Sequence, residues 1–152
     1  MSNTPFETIL CPVDFSDCSA EALREGAQLA ALGGAKLVLL HAVHLEVPAY
    51  MTEGSAVHIR RELSQARDEA AHHLKDWAAP HLPAGMEFET VIDDRAPVEA
   101  IKAAAAKLPK PWIVMGTHGR TGLQKLLIGS VTERTLREAH TPIVTIPPRQ
   151  AS

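Results

Sequence analysis

No apolar run in the chain approaches the ~18 residues that a membrane-crossing helix needs, so no membrane span is expected. The N-terminus lacks the basic-then-apolar layout of a secretory signal. Positive charge is not in excess either: 15 Lys and Arg stand against 18 Asp and Glu, for a formal charge of −3. That balance carries no electrostatic footprint for nucleic acid or an anionic membrane surface, and neither is expected as a partner. Cysteine is scarce. Cys11 and Cys18 cannot build a disulfide framework, and with Cys11 in an apolar strand and Cys18 near a helix start they read as reduced thiols of a cytoplasmic protein. Internal repeats, low-complexity tracts and linkers are missing as well. The 152 residues are therefore expected to form one domain, 1–152.

What is present alternates between strand and helix signals. Thr8 to Val13 is a short apolar strand ending at Asp14, and Ser16 or Asp17 can cap the helix that follows. Leu23, Ala27 and Ala30 form the apolar side of that helix, and Gly33 with Gly34 stops it. Lys36 to Val43 reads as a second strand, apolar on both faces. A loop from about His44 to Gly54 leads into a long helix with Ile59, Leu63, Ala66, Ala70, Leu74 and Trp77 at helical spacing, ending at Pro80. Met86 to Ile92 begins with apolar and charged residues in alternation, which suits a strand at a sheet edge. Pro97 fits the first turn of a helix whose stripe is Val98, Ile101, Ala105 and Leu108. Pro111 to Met115 is again continuously apolar. Ser130 and Glu133 have capping-box spacing, and Thr141-Pro142 closes the last helix before a strand from Pro142 to Ile146.

This order predicts an α/β fold: a five-stranded parallel sheet with helices on both faces and strand order 3-2-1-4-5. The winding reverses between strands one and four, and ligands in such sheets lie at the carboxyl ends flanking the reversal. Those ends are Asp14 and Gly116. Directly after Gly116 come Thr117, His118 and Gly119, then nine residues, then Gly129 and Ser130 at the head of a helix. Glycines admit main-chain N–H groups close to an anion, and a helix start adds unpaired donors and partial positive charge. Topology and glycine spacing point to one crevice by separate routes, and the crevice reads as a phosphate site.

These residues resemble the universal stress protein family. The matching features are Pro12-Val13-Asp14, Gly116 through Gly119-Arg120, the nine residues to Gly129-Ser130, and Thr141-Pro142-Ile143. The resemblance implies the Rossmann-like fold of the adenine nucleotide alpha hydrolases and an adenosine-nucleotide binding protein active in stress response. The glycine spacing is that of the ATP-binding branch. It also implies a homodimer paired through the fifth strands, Pro142 to Ile146. Carried over position by position, Asp14 meets the ribose or adenine side of the ligand, or else caps the next helix. Val13 and Val43 wall the adenine, with Pro12 shaping the bend. Met115 and Gly116 lie beneath the nucleotide, and Gly119 and Gly129 let donors approach the phosphates. Ser130 either caps its own helix or meets a phosphate oxygen beside Val131 and Thr132. By residue type, Arg120 and Lys125 either add charge to the loop or are solvated surface charges, and His118, which could also be a general base or metal ligand, reads as stacking on or donating to phosphate. ATP, with or without Mg2+, is the expected ligand.

Several motifs of catalysis are missing. There is no Gly-x4-Gly-Lys-Ser/Thr, no Gly-x-Gly-x-x-Gly after strand one, and no Ser-Gly-Gly loop of the ATP pyrophosphatases. His72, His73, His41 and His140 form no metal constellation in the sequence. Binding is expected rather than turnover. A slow ATPase or adenylyl-transferring enzyme, and a structural dimer with a vestigial site, remain alternative readings. The apolar residues Leu123, Leu126, Leu127 and Ile128 either pack beneath the loop or reach a partner.

Overall fold

A computed structural model describes residues 3–44, 52–119 and 128–149. Its elements run β1 (Thr8–Pro12), α1 (Asp17–Gly33), β2 (Lys36–Ala42), α2 (Glu53–Ala78) with a 3-10 turn at Ala79–His81, β3 (Glu89–Asp93), α3 (Pro97–Lys107), β4 (Pro111–Gly116), α4 (Ser130–Glu138) and β5 (Ile143–Ile146). All five strands are parallel in one sheet, in the order β3-β2-β1-β4-β5. The expected topology is the observed one.

Strand periodicity sends alternate residues to opposite faces, and each face has its own core. On one side Ile9, Cys11, Leu37, Leu39 and Val114 pack with Leu23, Ala27 and Ala30 of α1 and Leu74 and Ala78 of α2. On the other, Leu10, Val38, Leu40, Ile113 and Met115 pack with Ala100, Ile101 and Ala105 of α3, and Val131 of α4 joins them. Central strands buried on both faces must be apolar throughout. Ile9, Leu10, Val38, Leu39 and Ile113 are accordingly fully buried.

Helix α1 begins in a closed set of local bonds. Ser16, the N-cap, accepts the N–H of Ser19 (3.1 Å), and Ser19 Oγ accepts the N–H of Asp14 (3.1 Å). Asp14 Oδ1 in turn accepts from the backbone N–H (3.0 Å) and the hydroxyl (2.5 Å) of Ser16. Gly34 ends the helix in the left-handed conformation (φ 62°).

Several boundaries depart from expectation. The third strand starts at Glu89, not Met86: Met86 donates to Pro83 O (3.1 Å) in a turn with Gly85 at φ 78°, and ladder pairing with β2 begins at Val38–Glu89. Met86 and Phe88 still pack against the α1–α2 core. Strand five starts at Ile143, because Pro142 has no N–H to give, though its carbonyl accepts from Ile113 (2.9 Å). The capping box at Ser130 does not form. Gly129 is the N-cap, extended at φ −69° and ψ 159°, and its carbonyl takes the first helical bond from Glu133 (2.9 Å). That leaves Ser130 exposed at the first helical position, and the Glu133 carboxylate reaches forward to Arg137 (2.6 Å).

Both cysteines are buried free thiols. Burial pushes the Cys11 thiol from 9.0 up to about 12. The unfolded chain loses that proton near 9.0 while the folded chain keeps it, so the thiol's contribution is intact below pH 9 and is lost as pH rises towards 12. A Cys11→Ala chain should therefore show a shallower fall in melting temperature across that window; parallel profiles would contradict the assignment. The caps give a second expectation. Ser16→Ala should cost about 0.5–2 kcal/mol in urea denaturation, whereas Ser130→Ala should stay within about 0.5 kcal/mol of wild type. The reverse ranking would contradict the capping observed.

Candidate functional site

The carboxyl ends of β1 and β4 part at the reversal of winding, and a cleft of about 310 Å³ opens there. Its edges come from the sequence candidates: Pro12, Val13 and Asp14 after β1, Met115 and Gly116 at the end of β4, and His118 and Gly119 beyond it. Gly129, Ser130, Val131 and Thr132 close it from the start of α4.

Two glycines are there for close approach. A Cβ on Gly116 would sit 2.6 Å from Cys18 Sγ and 3.2 Å from the Cys18 backbone, so β4 can meet the first turn of α1 only without a side chain. A Cβ on Gly119 would come 2.8 Å from Asp14 Oδ2. Asp14 thus holds Ser16 through one carboxylate oxygen and faces Gly119 with the other.

Thr117 fixes the far side. Its carbonyl accepts the N–H of Gly129 (2.6 Å), which folds the start of α4 back onto the end of β4. Its hydroxyl lies 2.8 Å from His118 Nδ1 and orients that imidazole. Two buried threonines then lock the helix: Thr132 Oγ1 donates to Gly116 O (2.7 Å) and Thr135 Oγ1 to Val131 O (2.7 Å). The Thr132 hydroxyl is therefore engaged in structure, although the residue lines the cleft. Because the N-cap is glycine, no cap side chain accepts from the first N–H groups of α4. The helix start presents those donors and its partial positive charge to the cleft.

The opposite wall is apolar. Leu40 and Ala42 of β2, Ile101 of α3 and Met115 of β4 provide it, with Pro97 and His41 at its margin. Val43 lies outside the lining. Its N–H donates to Asp93 O (2.7 Å), and strand alternation puts Leu40 and Ala42, not residue 43, on the face that meets α3. Ser19, Leu40, His41, Ala42, Pro97 and Ile101 also line the cleft, none of them among the residues expected from the sequence. For Leu40 and Ala42 the two-residue period of β2 was the available signal. For Pro97 and Ile101 it was the first two turns of α3, which starts at the same end of the sheet. Arg120, Lys125, Leu123, Leu126 and Leu127 lie outside the described residues, and Ile128 is 37% exposed. His72 and His73 are exposed, and among the described residues no cluster of three His, Cys, Asp or Glu could hold a metal ion. Among them, too, no helix is long and apolar enough to cross a membrane.

Comparison with known proteins identifies the family and the fold. The universal stress protein family model matches residues 5–147. The universal stress protein MJ0531 of Methanocaldococcus jannaschii is 32% identical over 145 residues, covering 93% of this chain and 82% of its own. The solved structure of MJ0577 from the same organism superposes with a TM-score of 0.72 at 25% identity, over 98% of this chain and all of that one. A universal stress protein solved in complex with cAMP superposes at 0.64 with 22% identity, over 96% of this chain and all of that one. At that identity the last likeness shows the fold. With the strand order, the cleft and a family match spanning 5–147 in agreement, the chain belongs to the universal stress protein family.

Proposed function

We propose that the cleft binds an adenosine nucleotide, with ATP as the physiological ligand, and that the protein acts as a cytoplasmic stress-response module of one domain. The observation that carries this reading is the opening of α4 on Gly129, beside Gly119, which leaves main-chain donors facing the crevice without a cap side chain. The adenine ring suits the wall of Leu40, Ala42, Ile101 and Met115, with Val13 at its edge. The Asp14 carboxylate can accept hydrogen bonds from ribose hydroxyls. His118, oriented by Thr117, can donate to a phosphate oxygen. A related universal stress protein in complex with cAMP is consistent with this ligand class.

Hydrogen bonds to a charged partner are worth ~1.5–3 kcal/mol each. Three or four of them together with adenine burial reach the ~8 kcal/mol of micromolar affinity. The reading includes a homodimer through the fifth strands. Among the described residues β5 pairs with β4 alone, which leaves its outer edge open to a second copy.

Chromatography of the nucleotide released on denaturing the purified protein should give an adenosine nucleotide, and equilibrium dialysis should give saturable ATP binding. Gly119→Val should abolish that binding while the dimer persists in sedimentation, because the new side chain would drive into Asp14 Oδ2 and the phosphate approach. Unchanged ATP affinity in the variant would refute the assigned phosphate path.

A further inference from the structure

Beside the cleft, one residue that does not line it is held in an unfavourable conformation. Phe15 follows Asp14 directly and has φ 64°. For a side chain this bulky the left-handed region is a genuine outlier. Such outliers persist only where the surroundings over-determine them, and they gather at ligand sites and switches.

Here the surroundings are rings. The Phe15 centroid lies 4.5 Å from that of His41, 4.5 Å from His73 and 5.5 Å from Trp77, the last edge-on at 83°. His41 belongs to β2, and its Nδ1 stands 2.8 Å from the Val13 carbonyl. His73 and Trp77 belong to α2. Val13 is tied further through its N–H to Leu40 O (2.8 Å). The residues before and after Asp14 are thus both fastened to neighbouring elements, and only one backbone turn joins them.

We propose that Phe15 is the positioning residue of the nucleotide site. Its left-handed backbone turns Asp14 towards Gly119, and its ring fastens that turn to α2, so that filling the cleft and packing Trp77 are linked. The proposal rests on the nucleotide reading above and adds a residue and a route to it. Linkage of this kind is reciprocal: what biases the ring against α2 biases the site, and what loads the site biases the ring.

The experiment uses the full chain carrying Trp112→Phe, which leaves Trp77 as its one tryptophan. Into it go Phe15→Ala, Phe15→Gly and Phe15→Tyr, each checked as folded by circular dichroism at the working temperature. In equilibrium dialysis with ATP, Phe15→Ala and Phe15→Gly should bind about tenfold more weakly or worse, and Phe15→Tyr should stay within about threefold of the parent. ATP should shift Trp77 emission in the parent and leave it unmoved in Phe15→Ala at saturation. Parent-like affinity in Phe15→Ala, or in Phe15→Gly, which keeps the backbone and loses the ring, overturns the proposal. So does Trp77 emission indifferent to ATP in a parent that binds it. Should the parent bind no nucleotide, the functional reading falls and hydrogen exchange decides the role of Phe15. The Ser16 and Ser19 amides, which donate to Asp14 Oδ1 and Ser16 Oγ, should then exchange about tenfold faster in Phe15→Ala than in the parent, measured against the Leu10 amide. Equal protection overturns the positioning role.

Discussion

The hydrogen bond from the Gly129 N–H to the Thr117 carbonyl sets the geometry on which the site depends. It brings the start of α4 back to the end of β4, so that a helix terminus and a strand terminus share one crevice. Thr132 reinforces the return by donating its hydroxyl to the Gly116 carbonyl at the end of β4, while the Thr135 hydroxyl bonds within α4 to Val131 O. With Gly129 as the cap, the donors of the first helical turn are left to whatever enters the cleft. A serine or aspartate there would supply its own acceptor and compete with a ligand for the same N–H groups. Uncapped donors in a crevice are a recurring cause of anion binding. That physical reason favours phosphate here ahead of any family likeness.

The facing side is built by a different logic. Asp14 is committed through Oδ1 to the cap of α1 and turns Oδ2 to Gly119. An aspartate at this position in the sequence suits two roles, helix cap or ligand contact. The geometry makes them compatible, since Ser16 is the cap proper and Asp14 holds Ser16 from behind. The same bonds that order α1 hold the carboxylate at the cleft. Capping of the first helix and placement of the carboxylate rest on one set of bonds at this corner.

The layout was legible from sequence where a single physical requirement dominated. Central strands buried on two faces must be apolar, which identified β1, β2 and β4, and parallel pairing with right-handed crossovers then left few orders open. The place of the cleft followed, because the reversal of winding points to residues 14 and 116 and the glycine spacing begins at the latter. Legibility failed where two requirements gave the same pattern. Ser130 and Glu133 have the spacing of a capping box, but glycine is also an accepted N-cap, and the backbone begins its helix one residue earlier. Val43 is apolar and adjoins the end of β2, but the pleat of that strand puts Leu40 and Ala42, not residue 43, on the wall of the cleft. At Met86 the alternation of apolar and charged residues imitates a strand that the turn at Gly85 postpones to Glu89. Phe15 had no sequence signal at all: a left-handed phenylalanine becomes visible only with its cage of His41, His73 and Trp77.

The central claim is that main-chain amides at Gly119 and the opening of α4 receive the phosphates of an adenosine nucleotide. Amide chemical shifts followed through an ATP titration test it most directly. The account predicts that the resonances of Gly119, Ser130 and Val131 move together and saturate, while those of Gly34 and Glu89 at the far end of the sheet stay in place. Saturable movement centred elsewhere, with Gly119 and the first turn of α4 unaffected, would contradict it.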